Sequence, residues 1–304
     1  MHPLRYGVLT GGALLAVCAL VGSLCLAGLV EARARTSGLS ARTIGEIVAA
    51  TPSLSGGVAV RWVPAGAAER TDALALTTDG FAAGTRVEIA YDPQDPERLV
   101  VPGSVVLADG DRAGAGLAFV LVVVGATVLV VAWQLASRTH ALRRAASPVT
   151  ARPFRVQSGL LTRAWFELDD GGFIAVHPDP VLARLPSPST VTLLGDPVRH
   201  RLVGVVADGV TLAPSGGTRR TQPSGRRLDN PSRVDTSRAV LAADRYRLLR
   251  RLRVDAVQAV PAPVVGVVWV IVLGGGIGSF LAATAITAAA GLFRAAVHGS
   301  DPSG

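Results

Sequence analysis

The chain has 304 residues, of which 49% are hydrophobic and 17% are charged, and its net charge is +8. This apolar balance lies on the membrane-protein side of the usual globular range. The two cysteines, Cys18 and Cys25, exclude a disulfide framework or a cysteine-based zinc site, and we expect both to be apolar fillers of one helix. All 30 basic residues are arginine, which indicates the codon bias of a GC-rich bacterial genome.

Three long apolar runs cover residues 6–30, 113–136 and 264–293. Each run reaches the roughly 20 residues that a helix needs to cross about 30 Å of hydrocarbon, so we predict three transmembrane helices. A signal peptide cleaved within residues 1–34 is the alternative for the first run. We favour a retained helix, because the apolar run is longer than a signal peptide requires.

The third run contains Gly274-Gly-Gly276, and consecutive glycines weaken a helix. We therefore predict either one tilted helix or a short interfacial helix, a glycine break and a span that starts at Ile277. Gly274 and Gly278 also form a small-residue pair that would permit close approach of a second helix.

The arginines are distributed unevenly along the chain. Residues 31–112 carry 8 arginines and 11 acidic residues, whereas residues 137–262 carry 20 arginines and 10 acidic residues. Because Arg near span ends accumulates on the cytoplasmic side, we predict a plasma-membrane protein with residues 137–262 and the N-terminus in the cytoplasm. Residues 31–112 and the C-terminus are then extracytoplasmic. Arg33 and Arg35, which follow the first run, favour the opposite orientation.

The segment between the first two runs is predicted to be largely β-structure. Residues 31–50 alternate little and are expected to continue the first span as a helix or linker. Residues 57–63, 73–78 and 85–91 carry the β-branched and alternating patterns of half-buried strands. Asp79-Gly80 is a hairpin-type turn signal after the second of these strands.

The third of these strands ends in the sequence Tyr91-Asp92-Pro93-Gln94-Asp95-Pro96, called the turn motif below. Each proline fixes φ and removes a ladder donor, and each aspartate can bond to nearby backbone. The motif therefore predicts a rigid double turn. Asp92, Asp95 and Glu97 lack the glycine and the bidentate glutamate of an EF-hand loop, so we do not expect a calcium site.

Residues 6–136 resemble the membrane proteins of domain-of-unknown-function family 3592. The likeness is carried by Gly84, Val87, Ile89 and the turn motif, followed directly by a membrane span. The resemblance implies an extracytoplasmic β domain held between two membrane helices. It implies no activity, cofactor or catalytic residue.

Residues 151–213 also carry strand signals. Residues 165–168 and 173–176 flank a four-residue turn, and three more strands are expected before residue 213, at 190–194, 202–206 and 210–213. Five short strands with turn signals predict a small antiparallel barrel or sandwich.

Catalytic and metal-binding patterns are missing from the sequence. His177 lies in a proline-rich turn and His200 between two arginines, so neither predicts a metal site. The sequence contains no nucleophile elbow, phosphate loop or dinucleotide fingerprint, and Ser55, Ser104 and Ser158 lack an identifiable base. We therefore expect no enzyme and no cofactor.

Residues 214–238 are rich in Pro, Ser, Gly and Arg without periodicity, which predicts a flexible linker. Residues 239–261 combine an apolar stripe with many arginines, which predicts a basic amphipathic helix on the anionic inner leaflet. The stripe contains Leu241, Leu248, Leu249, Leu252 and Ala256. The possible lipid surface contains Arg245, Arg247, Arg250, Arg251 and Arg253. The stripe could also pack on the neighbouring β domain, and the lack of interleaved aromatic residues disfavours nucleic acid.

Together these patterns predict an α+β membrane protein with three transmembrane helices and two small antiparallel β domains, one on each side of the membrane. The predicted parts are a first span at 1–30, an extracytoplasmic β domain at 31–112, a second span at 113–136, a cytoplasmic β domain at 137–213, the linker at 214–238, the basic helix at 239–261, the third span at 262–293 and a tail at 294–304. The expected role is a non-catalytic scaffold that links envelope and cytoplasmic partners. The alternatives are anionic-lipid or small-molecule handling and, less favoured, a membrane hydrolase.

Overall fold

The computed structural model describes residues 3–51, 57–77, 82–233 and 236–303. The predicted Asp79-Gly80 turn and Ser55 lie outside these residues. The chain forms two compact units, one of residues 19–123 and one of residues 1–18 with 124–304.

The helices are α1 (Pro3–Thr36), α2 (Val105–Leu142), α3 (Thr236–Arg245), α4 (Leu248–Asp255), α5 (Ala262–Leu273) and α6 (Ile277–Val297), with 3₁₀ turns at Pro180–Ala183 and Ala256–Ala259. Within the described residues, four helical segments are long and apolar enough to cross a membrane: Arg5–Thr36, Val105–Leu142, Leu248–Leu273 and Ile277–Val297. The prediction of three such helices is corrected to four, because the third apolar run is divided between two helices.

The strands of the first sheet are β1 (Ala41–Thr51), β2 (Gly57–Trp62), β3 (Arg70–Ala75), β4 (Arg86–Tyr91) and β5 (Leu99–Val100). The strands of the second sheet are β6 (Ala146–Ser158), β7 (Leu161–Leu168), β8 (Phe173–Val176), β9 (Ser189–Leu194), β10 (Gly204–Ala207), β11 (Val210–Leu212) and β12 (Arg226–Asp229). Both sheets are antiparallel and curled, and each covers its own apolar core.

The unit of residues 19–123 contains the first sheet, in the order β3-β2-β1-β4-β5. Central strand β1 occupies much of the segment that was expected to be a helix or linker. Helix α1 continues the first apolar run to Thr36, as expected. From residue 41 onward the expectation is wrong, because β1 gains hydrogen-bonded partners on both edges, β2 and β4, which its weak alternation did not reveal. The core beneath the sheet includes Val60, Trp62, Ile89 and Tyr91.

Small residues line the contact between α1 and α2 within this unit. The Cβ position of Gly116 would lie 2.9 Å from the Sγ atom of Cys25, and that of Gly28 would lie 3.6 Å from Ala113. Cys25 contacts Gly116, whereas the later residue Gly28 contacts the earlier residue Ala113, so the two helices run antiparallel. A β-carbon at Gly116 would require the side chain of Cys25 to shift, so glycine here permits the close approach of the two helices.

The second sheet follows the order β11-β10-β9-β6-β7-β8, with β12 also paired to β6. Strand β6 is 13 residues long, and it pairs with β9 through its first half and with β7 through its second. Edge strand β8 meets the residues that follow β11, through bridges from Val176 to Pro214 and from Phe173 to Arg219. The sheet therefore curls into a barrel-like shape.

The predicted flexible linker is largely part of this domain. Phe154, Trp165 and Phe173 form a second apolar cluster. Arg219 lies over Trp165 at 5.6 Å, and Arg227 of β12 lies over Phe154 at 4.1 Å. The linker prediction is corrected because these arginine stacks and the β12 ladder fix the chain on an apolar surface that hydropathy alone does not show.

Helices α5 and α6 form an antiparallel hairpin around Gly274-Gly-Gly276. The Cβ position of Gly266 would lie 2.3 Å from the Oγ1 atom of Thr284, and that of Gly291 would lie 2.6 Å from the backbone oxygen of Gln258. Gly274 and Gly275 have φ of 71° and 114°, which glycine adopts at little cost. The glycine break that the sequence offered as one alternative is thus present, but it reverses the chain.

Candidate functional site: the basic helices and the C-terminal latch

The turn motif forms the predicted double turn. The Oδ1 atom of Asp92 accepts a hydrogen bond from the backbone N–H of Gln94 at 2.9 Å. The Oδ1 atom of Asp95 accepts one from Glu97 at 3.3 Å. Both aspartates therefore bond to backbone two residues further on, as Asx turns do. Pro93 is exposed, Pro96 is half-buried, and the ring of Tyr91 is buried.

The turn motif also positions Arg98 against the end of α1. The Nη2 atom of Arg98 donates to the carbonyl oxygens of Ala34 at 2.7 Å and Ser37 at 3.0 Å. The carboxylate of Asp92 lies 3.6 Å from the Nη1 atom of the same guanidinium. A cation at a helix carboxyl end satisfies carbonyls that lack an intrahelical partner and complements the helix dipole. The motif thus joins the first sheet to α1.

The predicted basic helix is divided into α3 and α4, called the basic helices below. Four arginines of the predicted lipid surface are exposed, namely Arg245, Arg247, Arg250 and Arg253, whereas Arg251 is buried. Asp244 pairs with Arg247 at 2.7 Å and with Arg250. The exposed part of the surface therefore keeps a net positive charge.

Several apolar side chains of the basic helices are also exposed, while Leu248 and Leu252 are half-buried. Leu241 is 68% exposed and Leu249 is 79% exposed, and neighbouring Val240 is 62% exposed. Leu241 and Leu249 belong to the predicted apolar stripe, and Val240 lies next to it. Packing of this stripe on the β domain was the alternative to membrane binding. Exposed leucines interleaved with exposed arginines are typical of a helix that lies in a membrane interface.

Tyr246 separates the two basic helices because its ring is buried. Its hydroxyl donates to the Oδ1 atom of Asp301 at 3.0 Å. Burial, and then the nearby Asp301 carboxylate, raise the pKa of Tyr246 above its ordinary range, so the phenol stays protonated as a donor. The chain therefore turns at Tyr246, between Arg245 and Arg247, and does not continue as one helix.

Asp301 is the centre of the C-terminal latch, which comprises residues 298–303. Its side chain is fully buried, and its Oδ2 atom accepts from the Nε atom of Arg155 at 2.9 Å. The backbone of Ser303 donates to it at 2.9 Å, and Ser300 bridges to Arg163 of β7. The latch therefore lies against the second sheet.

The latch contact bears on how the last apolar run is arranged. The sequence predicts one crossing after residue 262, whereas α5 and α6 form a hairpin that reverses the chain. The hairpin is followed by the ion pair between Asp301 and Arg155 of the second β domain. The predicted orientation of the termini stays a prediction.

Two buried arginines satisfy carbonyl oxygens at and just beyond the carboxyl end of α6. The Nη2 atom of Arg138 donates to the oxygen of Val297, and that of Arg251 donates to the oxygen of Ser300, both at 3.2 Å. Arg251 also lies 4.0 Å above the ring of Tyr6. Arg251 thus serves the packing of this unit and is not part of the exposed arginine surface.

His177 is buried beside the latch, and neither of its ring nitrogens has a hydrogen-bond partner among the described residues. Burial lowers the pKa of His177 well below 6.5, and Arg138, Arg251, Arg163 and His298 lower it further. These four cationic or ionisable groups come from α2, α4, β7 and the latch, so the imidazole is neutral in the folded protein.

We expect the stability of the protein to fall as the pH falls below about 6.5. An unfolded His177 takes up a proton near pH 6.5 but the folded one does not, so acid favours unfolding. The free energy of unfolding is then lost at up to about 1.4 kcal/mol per pH unit. Thermal unfolding in detergent between pH 7.5 and 5.0 measures this slope.

The variant His177→Leu should flatten the slope, and His140→Gln, at an exposed histidine, is the matched control. A wild-type slope that survives in His177→Leu would contradict the assignment.

The second sheet also carries an open cavity of about 640 Å³. Asp169, Asp170 and Asp196 line it, but Asp170 and Asp196 each accept a backbone N–H two residues further on, as turn formers do. Among the described residues, no group of three or more His, Cys, Asp or Glu side chains is placed to hold a metal ion.

Across the described residues, these features define an α+β protein with two curled β domains and four helical segments that are long and apolar enough to cross a membrane. A basic surface with two exposed leucines lies beside the apolar helical hairpin. Comparison with protein-family models, with curated proteins and with solved structures finds no match. The resemblance to domain-of-unknown-function family 3592 therefore stays a prediction.

Sequence reasoning missed the latch entirely. The available signal was Ser300-Asp301-Pro302-Ser303, a single acid among turn formers after an apolar helix. The arginines that meet it, Arg155 and Arg251, are distant in sequence, and only the fold brings them together.

Proposed function

We propose that this protein is a multi-pass plasma-membrane protein that binds anionic lipid through the basic helices. The observation that carries the proposal is the exposure of Leu241 and Leu249 next to exposed Arg247, Arg250 and Arg253. At a membrane interface the leucine side chains can contact the acyl chains while the arginines contact the headgroups, so both kinds of side chain lie in a favourable environment. This role corresponds to the lipid-handling alternative that the sequence left open.

In this proposal the N-terminus, the second β domain and the C-terminal latch are cytoplasmic, and the first β domain is extracytoplasmic. The arginine excess of residues 137–262 supports this orientation. Four crossings, on α1, α2, the apolar part of the segment Leu248–Leu273 that follows α4, and α6, return the chain to the cytoplasm. The basic helices then lie at the leaflet that carries most anionic lipid, where each nearby arginine contributes about 1 kcal/mol of attraction.

Replacing Arg247, Arg250 and Arg253 together with glutamine should lower the fraction of anionic lipid retained by the purified protein by about tenfold or more, given about 1 kcal/mol per charge. The measurement is the ratio of phosphatidylglycerol to phosphatidylcholine that co-purifies from mixed membranes, determined by mass spectrometry.

The matched control replaces the exposed Arg152, Arg199 and Arg220 of the second β domain, which removes the same net charge elsewhere. If both triple variants lost phosphatidylglycerol equally, the loss would depend only on the net charge of the protein, and the basic helices would be rejected as the lipid-binding site.

A scaffold that links partners across the membrane is a second candidate. It is favoured by two β domains that each have their own buried core, joined through apolar helices. Photo-crosslinkers at Asp95 and Arg226 in native membranes test it. Distinct protein partners at the two positions would support a scaffold, and lipid alone at Arg226 would favour the lipid-binding proposal.

A further inference from the structure

The tip of the β6–β7 hairpin carries an unusual residue for a tight turn. Ser158 pairs with Leu161, so Gly159 and Leu160 form a two-residue loop. Gly159 has a φ of 59°, which suits the first central position of a type II′ turn. The second position favours small polar residues, yet it is occupied by Leu160, whose side chain is 60% exposed. Turn chemistry alone therefore does not explain this leucine.

The hairpin tip is held beside the entry to the last helical hairpin. The Nε2 atom of Gln258, in the 3₁₀ turn Ala256–Ala259, donates to the carbonyl oxygen of Leu160 at 2.8 Å. Helix α5 begins at Ala262, four residues after Gln258. Leu160 is thus anchored by a side-chain hydrogen bond where the chain enters its apolar segment.

The residues on either side of Gln258 are apolar and exposed as well. Val254 is 45% exposed, Val260 is 69% exposed and Val264 is 66% exposed. Two exposed arginines lie nearby, Arg253 in α4 and Arg226, which pairs with Gln157 beside the tip. Gln157 and Ser158 are also exposed, and Asp255 is buried. Apolar side chains flanked by arginine, next to a membrane helix, match the boundary between acyl chains and headgroups.

We infer that Leu160 and the segment from Val254 to Val260 form a single lipid-inserting surface, by which the second β domain rests on the bilayer. The occupant of this surface is the interfacial layer of the lipid bilayer. The inference rests on the membrane setting of the proposed function, but not on anionic headgroups, because its contact with lipid is apolar.

A fluorescence experiment tests the depth of the tip. In a Cys18→Ala, Cys25→Ala background, Leu160→Cys is labelled with an environment-sensitive dye, and the protein is reconstituted in nanodiscs of zwitterionic phosphatidylcholine only. Asp170→Cys is the matched control, because it lies in the turn at the other end of β7, about 26 Å along the strand at about 3.3 Å per residue. Val260→Cys reports the second part of the surface.

We expect the dye at residues 160 and 260 to be quenched at least twofold more by lipid with a shallow doxyl group than the dye at residue 170. The dye at residue 170 should be quenched instead by aqueous iodide. If the dye at residue 160 were quenched by iodide while the dye at residue 260 were quenched by lipid, the inference would be overturned for the β6–β7 hairpin. Aqueous quenching at both positions would overturn it entirely.

These outcomes are independent of the anionic-lipid binding in the proposed function. Loss of phosphatidylglycerol selectivity in the arginine variant leaves dye depth in zwitterionic lipid unchanged, so failure of either result can be recognised separately.

Discussion

Replacing Asp301 with alanine is expected to lower the free energy of unfolding by about 3–5 kcal/mol, the usual cost of leaving a buried charge without its partner. The Asp301 carboxylate accepts hydrogen bonds from Arg155, Tyr246 and Ser303, so its loss leaves several donors unsatisfied at once. The side chain is fully buried, so in the folded protein these donors lie away from bulk water.

The measurement is denaturant unfolding of the purified protein in detergent, followed through tryptophan fluorescence, together with proteolysis of the C-terminus. Asp169→Ala is the matched control, because its carboxylate lies 3.8 Å from Arg152 with both side chains more than half exposed. An exposed pair of this kind contributes less than about 1 kcal/mol.

Asp301→Asn separates charge from shape, and we expect it to recover part of the loss. If Asp301→Ala and Asp169→Ala destabilised the protein equally, the latch would not hold the C-terminus on the second β domain.

The second large effect is expected in α6. Replacing Gly291 with alanine should lower the free energy of unfolding by about 1–3 kcal/mol, the typical cost of overpacking. The new β-carbon would lie 2.6 Å from the backbone oxygen of Gln258, so the segment before α5 and helix α6 would have to separate. In an isolated helix the same change would be stabilising, since alanine favours helix over glycine.

Gly278→Ala is the control in the same helix. No atom among the described residues lies within 4 Å of its Cβ position, so the change should be neutral or slightly stabilising. Thermal unfolding in detergent compares the two variants. A Gly291→Ala variant as stable as Gly278→Ala would contradict the antiparallel hairpin.

Several elements could be predicted because their cause is local. The two prolines and two aspartates of the turn motif define a double turn through bonds spanning two residues. The hairpin between Leu168 and Phe173 follows from a four-residue turn flanked by β-forming residues. The apolar runs predict helices long enough to cross a membrane, because the rise per residue of a helix and the thickness of the hydrocarbon layer are both nearly constant.

The errors share a different cause. Strand β1 and strand β12 have weak patterns of their own, and each is stabilised by ladder partners distant in sequence. Arg251 looked like one arginine among five, and only its position over Tyr6 and beside Ser300 separates it from the exposed surface.

The sequence by itself determined the apolar segments, the turn chemistry and the concentration of arginine in one half of the chain, because these depend on residue type and spacing. Tertiary structure alone decided that the third apolar run is a hairpin, that the C-terminal latch lies on the second β domain, and which arginines stay exposed. Close contacts such as Gly291 with Gln258, and hydrogen bonds such as Arg155 with Asp301, depend on distances between residues that no local pattern encodes.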